Sequence, residues 1–372
     1  MLVLPALAGE IPSVQYPAAA NSAAGAEEAF VAPGIHDGTN RPSAVTSGPT
    51  RRRALLPVIH CTDLLHPHGD PDDHFDLATL YAMAGIDLKA VVLDQGQLQA
   101  ERPGTVPVSQ MNRITGRNVP AAIGLADKLR GPEDKALDQK PQFQGGVELI
   151  LRALRESPVP VTITSVGSLR DVTAAFNRAP ALFRRKVDRL MVFIGEASDP
   201  KFVECNVEMD PQAYVGLMRS GLPVFWVPCF DGGLWKNGGH ASFWQARHED
   251  LLKSARPEVM QYFIYALEKE KSDPLPFLSS PIDPERKRRL LAGTRNLWAA
   301  GVLEWLLAPD RSGDVFGFAK VEVSMGDDAV VHYGKTTESR TVMRFEVRDP
   351  ARYASRMTVV TAELLGRLGA AR

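Results

Sequence analysis

From residue 54 onward, short apolar runs rich in β-branched residues alternate with amphipathic helical stretches, and this alternation most constrains what the chain can fold into. "ALLPVIHC" is one such run, and "DLATLYAMAGI" then places Leu77, Leu80, Tyr81 and Ala84 at i, i+3, i+4 and i+7 of a helix. "DLKAVVLDQG" is a second apolar run. Strand, helix and strand at this spacing form the unit that crosses over between parallel strands. The theme returns in "GVELILRALRES" (helix), "VPVTITSV" (strand), "SLRDVTAAFNRAPALFRRK" (helix broken at Pro180), "VDRLMVFIG" (strand) and "LPVFWVPC" (strand). In "DPQAYVGLMRSG", Asp210 stands at a cap position, Pro211 at the first helical position and Gly221 just past the end.

This pattern predicts an α/β fold with a mostly parallel central sheet, helices on both faces, and ligand sites in the crevice at the carboxyl ends of the strands. Beyond about residue 250 the pattern turns helical, in "EVMQYFIYALEKE", "DPERKRRLLAG" and "NLWAAGVLEWLLA". A small late hairpin is expected from "FAKVEVSMG", "DAVVHYG" and "TVMRFEV", before a last helix in "PARYASRMTVVTAELLGRLG". With no internal repeat and no linker, residues 54–372 read as a single domain, and 372 residues suit one large α/β domain. Residues 1–53 are rich in Ala, Pro, Gly and Ser without periodicity, and read as a flexible lead-in. Its "MLVLPALAG" lacks a basic flank and is short for the apolar core of a signal peptide, so a cytoplasmic location is favoured, with secretion or a periplasmic location following if it is a truncated signal.

With 43 basic and 44 acidic residues there is no positive field to hold a phosphate backbone, which argues against nucleic acid as a partner. No apolar run nears the ~20 residues that span a bilayer, so no membrane partner is expected. Cys61, Cys205 and Cys229 are odd in number and form no CxxC pair, which argues against a disulfide framework and a cysteine-zinc site.

The most concentrated chemistry lies in "IHCTDLLHPHGDPDDHFDLA", residues 59–78, between the first strand and the first helix. Asp63, Asp70, Asp72, Asp73 and Asp76 repel one another unless something positive sits among them, and a helix dipole supplies only about 0.3 to 1 kcal/mol of that. A hard divalent cation such as calcium would answer the need, while a solvated helix cap is the plainer alternative. Histidine and carboxylate mixtures also suit zinc or iron, although no HExxH pair is present and His66 and His68 flank a proline in an irregular loop.

This segment resembles the N-terminal signature of the nucleoside hydrolases, the inosine-uridine-preferring ribohydrolases, with "CTD" in place of the family's D-x-D and "DPDD" in place of its second acidic pair. "TITSVGSLRDVTAAFNRAP" and "VECNVEMDPQAYVGLMRSGLPVFWVPC" resemble two later family segments, so the likeness spans roughly residues 56–230. The resemblance implies a Rossmann-like nucleoside hydrolase fold and calcium-dependent hydrolysis of the N-glycosidic bond of a purine or pyrimidine ribonucleoside. It implies Asp63 as a calcium ligand and acceptor of a proton from the attacking water. Asp73 and the carbonyl of Val166 would be further ligands, and Asp72, Glu204 and Asn206 would hold the sugar. Calcium would orient the sugar hydroxyls and activate water, while carboxylates would stabilise an oxocarbenium-like transition state.

Three departures stand out. Cys61 occupies the place of the family's first Asp, either as an altered support or as a small buried apolar residue. The Asn that follows the family's second strand has Asp94 or Gln97 as counterpart, and Gln97 is assigned to the substrate. The family's C-terminal His-Asp pair falls on Arg295 and Asn296. An Asn carbonyl can ligate calcium, so Asn296 joins the expected metal ligands, but arginine is no general acid near neutral pH. The leaving group is then left to His240 in "DGGLWKNGGHASFW", with Trp235 and Trp244 either stacking on a base or simply packing. The expected partners are a nucleoside-like small molecule and, through the resemblance, further copies of the chain in a dimer or tetramer. A same-fold hydrolase acting on another ribosylated or glycosylated molecule, and an inactive calcium- or sugar-binding homologue, are the alternatives.

Overall fold

A computed structural model describes residues 54–370, which belong to one compact unit. The lead-in and signal readings made on residues 1–53 lie outside the described residues. The chain begins with β1 (Leu56–Thr62), α1 (Asp72–Ala82), β2 (Ile86–Leu93), α2 (Thr105–Thr115) and β3 (Ala121–Ile123). It continues with α3 (Gly145–Glu156), β4 (Val161–Ser165), α4 (Arg170–Arg178), α5 (Pro180–Lys186), β5 (Val187–Phe193), α6 (Cys205–Met209), α7 (Pro211–Arg219) and β6 (Val224–Val227). β7 (Trp244–Arg247), α8 (His248–Leu252), α9 (Pro257–Leu267), α10 (Pro274–Leu278), α11 (Pro284–Ala292) and β8 (Thr294–Leu297) follow. β9 (Phe316–Met325), β10 (Val331–Tyr333), β11 (Arg340–Val347) and α12 (Pro350–Arg367) complete the described chain.

The main sheet runs β10-β9-β11-β6-β5-β4-β1-β2-β3, and its β6-to-β3 half is parallel throughout. β1 lies inside it, paired with β2 on one side and β4 on the other, and so is buried from Pro57 to Thr62. A strand covered on both faces needs a near-continuous apolar run, as "LPVIHCT" nearly supplies. One face packs on Leu77 and Leu80 of α1, Met111 of α2, Phe263 of α9 and Met357 of α12. The other packs on Ile150 of α3, Val172 of α4, Phe183 of α5 and Leu217 of α7. Each fully buried Leu or Phe contributes roughly 1.5 to 3 kcal/mol. The caps read from "DPQAYVGLMRSG" are present: the Asp210 carboxylate accepts from the Ala213 N–H, Pro211 opens α7, and Gly221 follows it at φ +70°.

Two elements differ from expectation. "NLWAAGVLEWLLA" has helical spacing, yet Thr294–Leu297 pairs antiparallel with β7, and only a short 3₁₀ turn forms at Val302–Leu306. The pairing sets Leu297 opposite Trp244, both buried, and this tertiary contact outweighs local propensity. The expected late hairpin forms between β9 and β10, but it is not separate, because β11 pairs antiparallel with β9 and parallel with β6 and so joins it to the main sheet.

Candidate active site

β1 and β4 are neighbours in space although about a hundred residues separate them in sequence. The helices that follow them go to opposite faces, so a crevice opens between their carboxyl ends. Asp63 leaves the end of β1 there, Val166 the end of β4, and Glu204 stands at the start of α6 beyond β5.

Asp72 and Asp73 occupy the first turn of α1, whose N-cap is Pro71 with no side-chain capping bond, so neither carboxylate is consumed in capping. The hydroxyl of Thr62, last residue of β1, donates to Asp73 Oδ1. Burial pushes Asp73 well above the usual carboxylate range, and the charges of Asp63, Asp72 and Asp76 push it further. Asp72 is raised in the same way by burial and then by Asp70, Asp76 and Asp63. Asp76 is buried with Oδ1 unpartnered among the described residues, and burial again raises it. Asp63 is lifted to about 7, first by burial and then by the charge of Asp94. A carboxyl poised near neutrality has the proton affinity a general base needs.

Glu204 and Asn206 face the same crevice from the start of α6. The Glu204 carboxylate accepts from the N–H groups of Gly195 (2.8 Å) and Asn206 (2.9 Å), while burial lifts its pKa to about 7 against these bonds. The Asn206 carboxamide donates to the carbonyls of Val166 (3.0 Å) and Phe193 (3.2 Å), which ties α6 to the ends of β4 and β5. Gln95 was not singled out from the sequence. It takes a left-handed φ of +55° and turns its carboxamide to Asp63 Oδ2 at 3.4 Å. A left-handed residue other than glycine beside reactive carboxylates is a common mark of a site, but a linear reading has no access to φ. Gln97 lies two residues on, at the rim of a recess of about 430 Å³ that it shares with Gln95, Lys128 and Cys205.

Other candidates are placed elsewhere. Asn296 lies on β8 of the small two-stranded sheet that β8 forms with β7, and its carboxamide oxygen accepts from Gln245 at 3.0 Å; the described contacts do not bring it to the aspartates. Strand alternation sends Arg295 the other way, to Asp70 at 3.4 Å. His240 Nδ1 pairs with Asp231 Oδ2 at 3.0 Å within the 231–240 loop. Trp244 is buried in β7, whereas Trp235 stands partly exposed in a cluster with Phe230, Phe243 and Trp298, its ring centroid 5.6 to 6.1 Å from theirs. Trp298 Nε1 donates to the carbonyl of Cys229 at 3.1 Å, next to β6. His66 is buried, stacked on Tyr265 at 4.6 Å, and donates to the Glu270 carbonyl at 2.7 Å. Cys61 is buried, and all three cysteines are free.

Residues 68–270 match the family model described as inosine-uridine preferring nucleoside hydrolase, more than half of the chain. The chain belongs to that family. The pyrimidine-specific ribonucleoside hydrolase RihA of Citrobacter koseri is 30% identical over 189 residues, covering 45% of this chain and 58% of that protein. This chain thus spans under two thirds of the length of the curated relatives it matches. The plant nucleoside hydrolase PpNRh1 shares the fold at a TM-score of 0.54 and 17% identity, covering 85% of this chain and 99% of that one. The type III effector XopQ, solved with adenosine diphosphate ribose, shares it at a TM-score of 0.51 and 16% identity over 86% and 96% of the two chains.

The family is generally metal-dependent, and the donors here are of the kind a hard divalent cation takes. Buried, crowded carboxylates and a main-chain carbonyl are hard oxygen ligands. Among the described residues no three His, Cys, Asp or Glu side chains are grouped to hold an ion unaided. Asp63 and Asp73, whose charges act on one another, and the Val166 carbonyl, which accepts from Asn206, lie around this crevice.

Proposed function

We propose that this protein hydrolyses the N-glycosidic bond of a purine or pyrimidine ribonucleoside to ribose and free base. The observation that carries the reading is the meeting of Asp63, Asp72, Asp73, Glu204 and Asn206 in one crevice at the switch point of the sheet. Asp63, at the end of β1 with the Gln95 carboxamide beside its Oδ2, takes a proton from the attacking water. Asp72 and Asn206 hold sugar hydroxyls, and Glu204 adds the negative charge that favours an oxocarbenium-like transition state. Calcium held by Asp63, Asp73 and the Val166 carbonyl would orient the sugar hydroxyls and acidify a bound water. The recess beside Gln95 and Gln97 offers room for a leaving base. His240, oriented by Asp231, remains the candidate acid for the leaving group, although it does not line that recess.

A panel of purine and pyrimidine nucleosides, with nitrophenyl glycosides and adenosine diphosphate ribose, scored for released reducing sugar tests the reading. Turnover of a nucleoside that EDTA abolishes and calcium restores is the expected result. Turnover only of a non-nucleoside glycoside would replace the substrate, and turnover indifferent to EDTA would remove the metal. A second reading, a homologue that binds a sugar without cleaving it, is favoured by the side chain of Arg295 reaching the acidic loop while that of Asn296 turns away. Calorimetric binding of ribose with no turnover of any compound over hours would establish it.

A further inference from the structure

Asp94 belongs to none of the roles above, yet it sits where three site-bearing segments meet. Its N–H donates to the carbonyl of Thr62 at 2.8 Å, one residue before Asp63. Its Oδ1 accepts from the Gln95 N–H at 2.6 Å, and its Oδ2 accepts from the Ser168 N–H at 2.8 Å. Its carbonyl accepts from the Gln99 carboxamide at 2.9 Å, and that carboxamide also donates to Leu64 O at 3.2 Å. Gly167 is wedged into the same joint: a Cβ there would stand 2.9 Å from Asp94 Oδ2, 3.2 Å from the Asp63 nitrogen and 3.4 Å from the Asp63 Cβ. Asp94 is itself buried, so water competes little for these bonds.

We propose that Asp94 is a positioning residue that fixes the loop after β2 and the loop after β4 against the end of β1, and thereby sets Asp63 relative to its partners. Two site contacts hang on that joint. The Gln95 carboxamide meets Asp63 Oδ2 from the residue whose N–H Asp94 holds, and the Val166 carbonyl meets Asn206 two residues before the Ser168 N–H that Asp94 holds. No side chain other than Asp94 accepts a hydrogen bond from both loops among the described residues. The carboxylate touches neither water nor sugar in this scheme; it keeps the groups that do so in register.

The inference rests on the hydrolytic reading for its kinetic arm and on geometry alone for its other arm. Asp94→Asn is nearly isosteric but can accept only one of the two N–H groups. In the purified full chain it is expected to lower kcat for base release by about 10²-fold, the cost of roughly 1 Å of misplacement in a catalytic group, with KM changed far less. Amide hydrogen exchange at residues 95–97 and 166–168 is expected to quicken while the melting temperature stays near wild type. Gly167→Ala, which leaves the carboxylate in place but forces the joint apart, serves as the second variant and should show the same kinetic pattern more weakly. Unchanged kcat in both variants despite faster exchange would overturn the proposal, because Asp94 would then be only a structural tie. If the wild-type protein turns over no compound at all, the hydrolytic reading fails and ribose titration decides this one: at least tenfold weaker binding in Asp94→Asn supports the positioning role, and unchanged affinity overturns it.

Discussion

Asp63 and His66 stand three residues apart, and burial has done the same thing to both with opposite chemical results. Removing water disfavours charge, so it lowers the pKa of a histidine and raises that of a carboxyl, leaving each more readily neutral. His66 is lowered from its ordinary value, His68 falls to about 4 and His74 falls well below its usual range, each chiefly through burial. All three imidazoles are thus held toward the neutral form, His66 stacked on Tyr265, His74 against Tyr262 and His68 edge-on to His74. Asp63 and Glu204 are raised to about 7 by the same cause. Within one acidic and histidine-rich loop, the proposed chemistry falls to the aspartates, and the histidines pack as neutral rings behind them.

The contrast breaks most easily on activity. Asp63→Asn is expected to cost about 10² to 10⁴-fold in base release, the usual worth of a general base, while His68→Gln stays close to wild type. Equal losses in steady-state assays of the two variants would erase the distinction. A smaller effect lies in the pH dependence of stability. The Glu204 carboxyl rises from 4.5 to about 7 in the fold, so between those values the folded protein keeps a proton that the unfolded chain gives up. Wild-type stability should therefore fall relative to Glu204→Gln as pH rises from about 4.5 to about 7, by a few kcal/mol at most, and stay level above that. Urea unfolding of both proteins at pH 5 and pH 8 measures the difference, and parallel curves would show that Glu204 is not raised. The smallest effect concerns His74, fully buried with both ring nitrogens unpartnered among the described residues. His74→Leu should gain about 1 kcal/mol by removing polar atoms that have no partner. A loss of stability in the same unfolding experiment would mean that His74 has a bonding role.

The alternation of strands and helices was readable because it is local: the caps of α7, the break at Pro180 and the apolar runs of β1, β4 and β5 each lie within a dozen residues. The aspartates of the first loop were readable for the same reason. What escaped depended on parity, handedness or distant pairing. Whether Arg295 or Asn296 turns toward Asp70 is decided by the register of β8 on β7, fifty residues earlier. The approach of Gln95 to Asp63 depends on a left-handed backbone that no residue pattern announces. The Trp235, Phe243 and Trp298 cluster joins segments far apart in sequence, and β11 shows its place in the main sheet only once β6 lies beside it.

That placement of β11 bears on the order in which the molecule can be completed. β6 is made some hundred residues before the strand that covers its outer edge, and until Arg340–Val347 emerges its backbone has only β5 as a neighbour. An open, apolar strand edge invites pairing with the wrong chain. During synthesis the nascent protein must therefore carry an adhesive edge through the whole of β7 to β10. A polypeptide cut at residue 270, where the family match ends, would carry that edge permanently and should aggregate rather than fold.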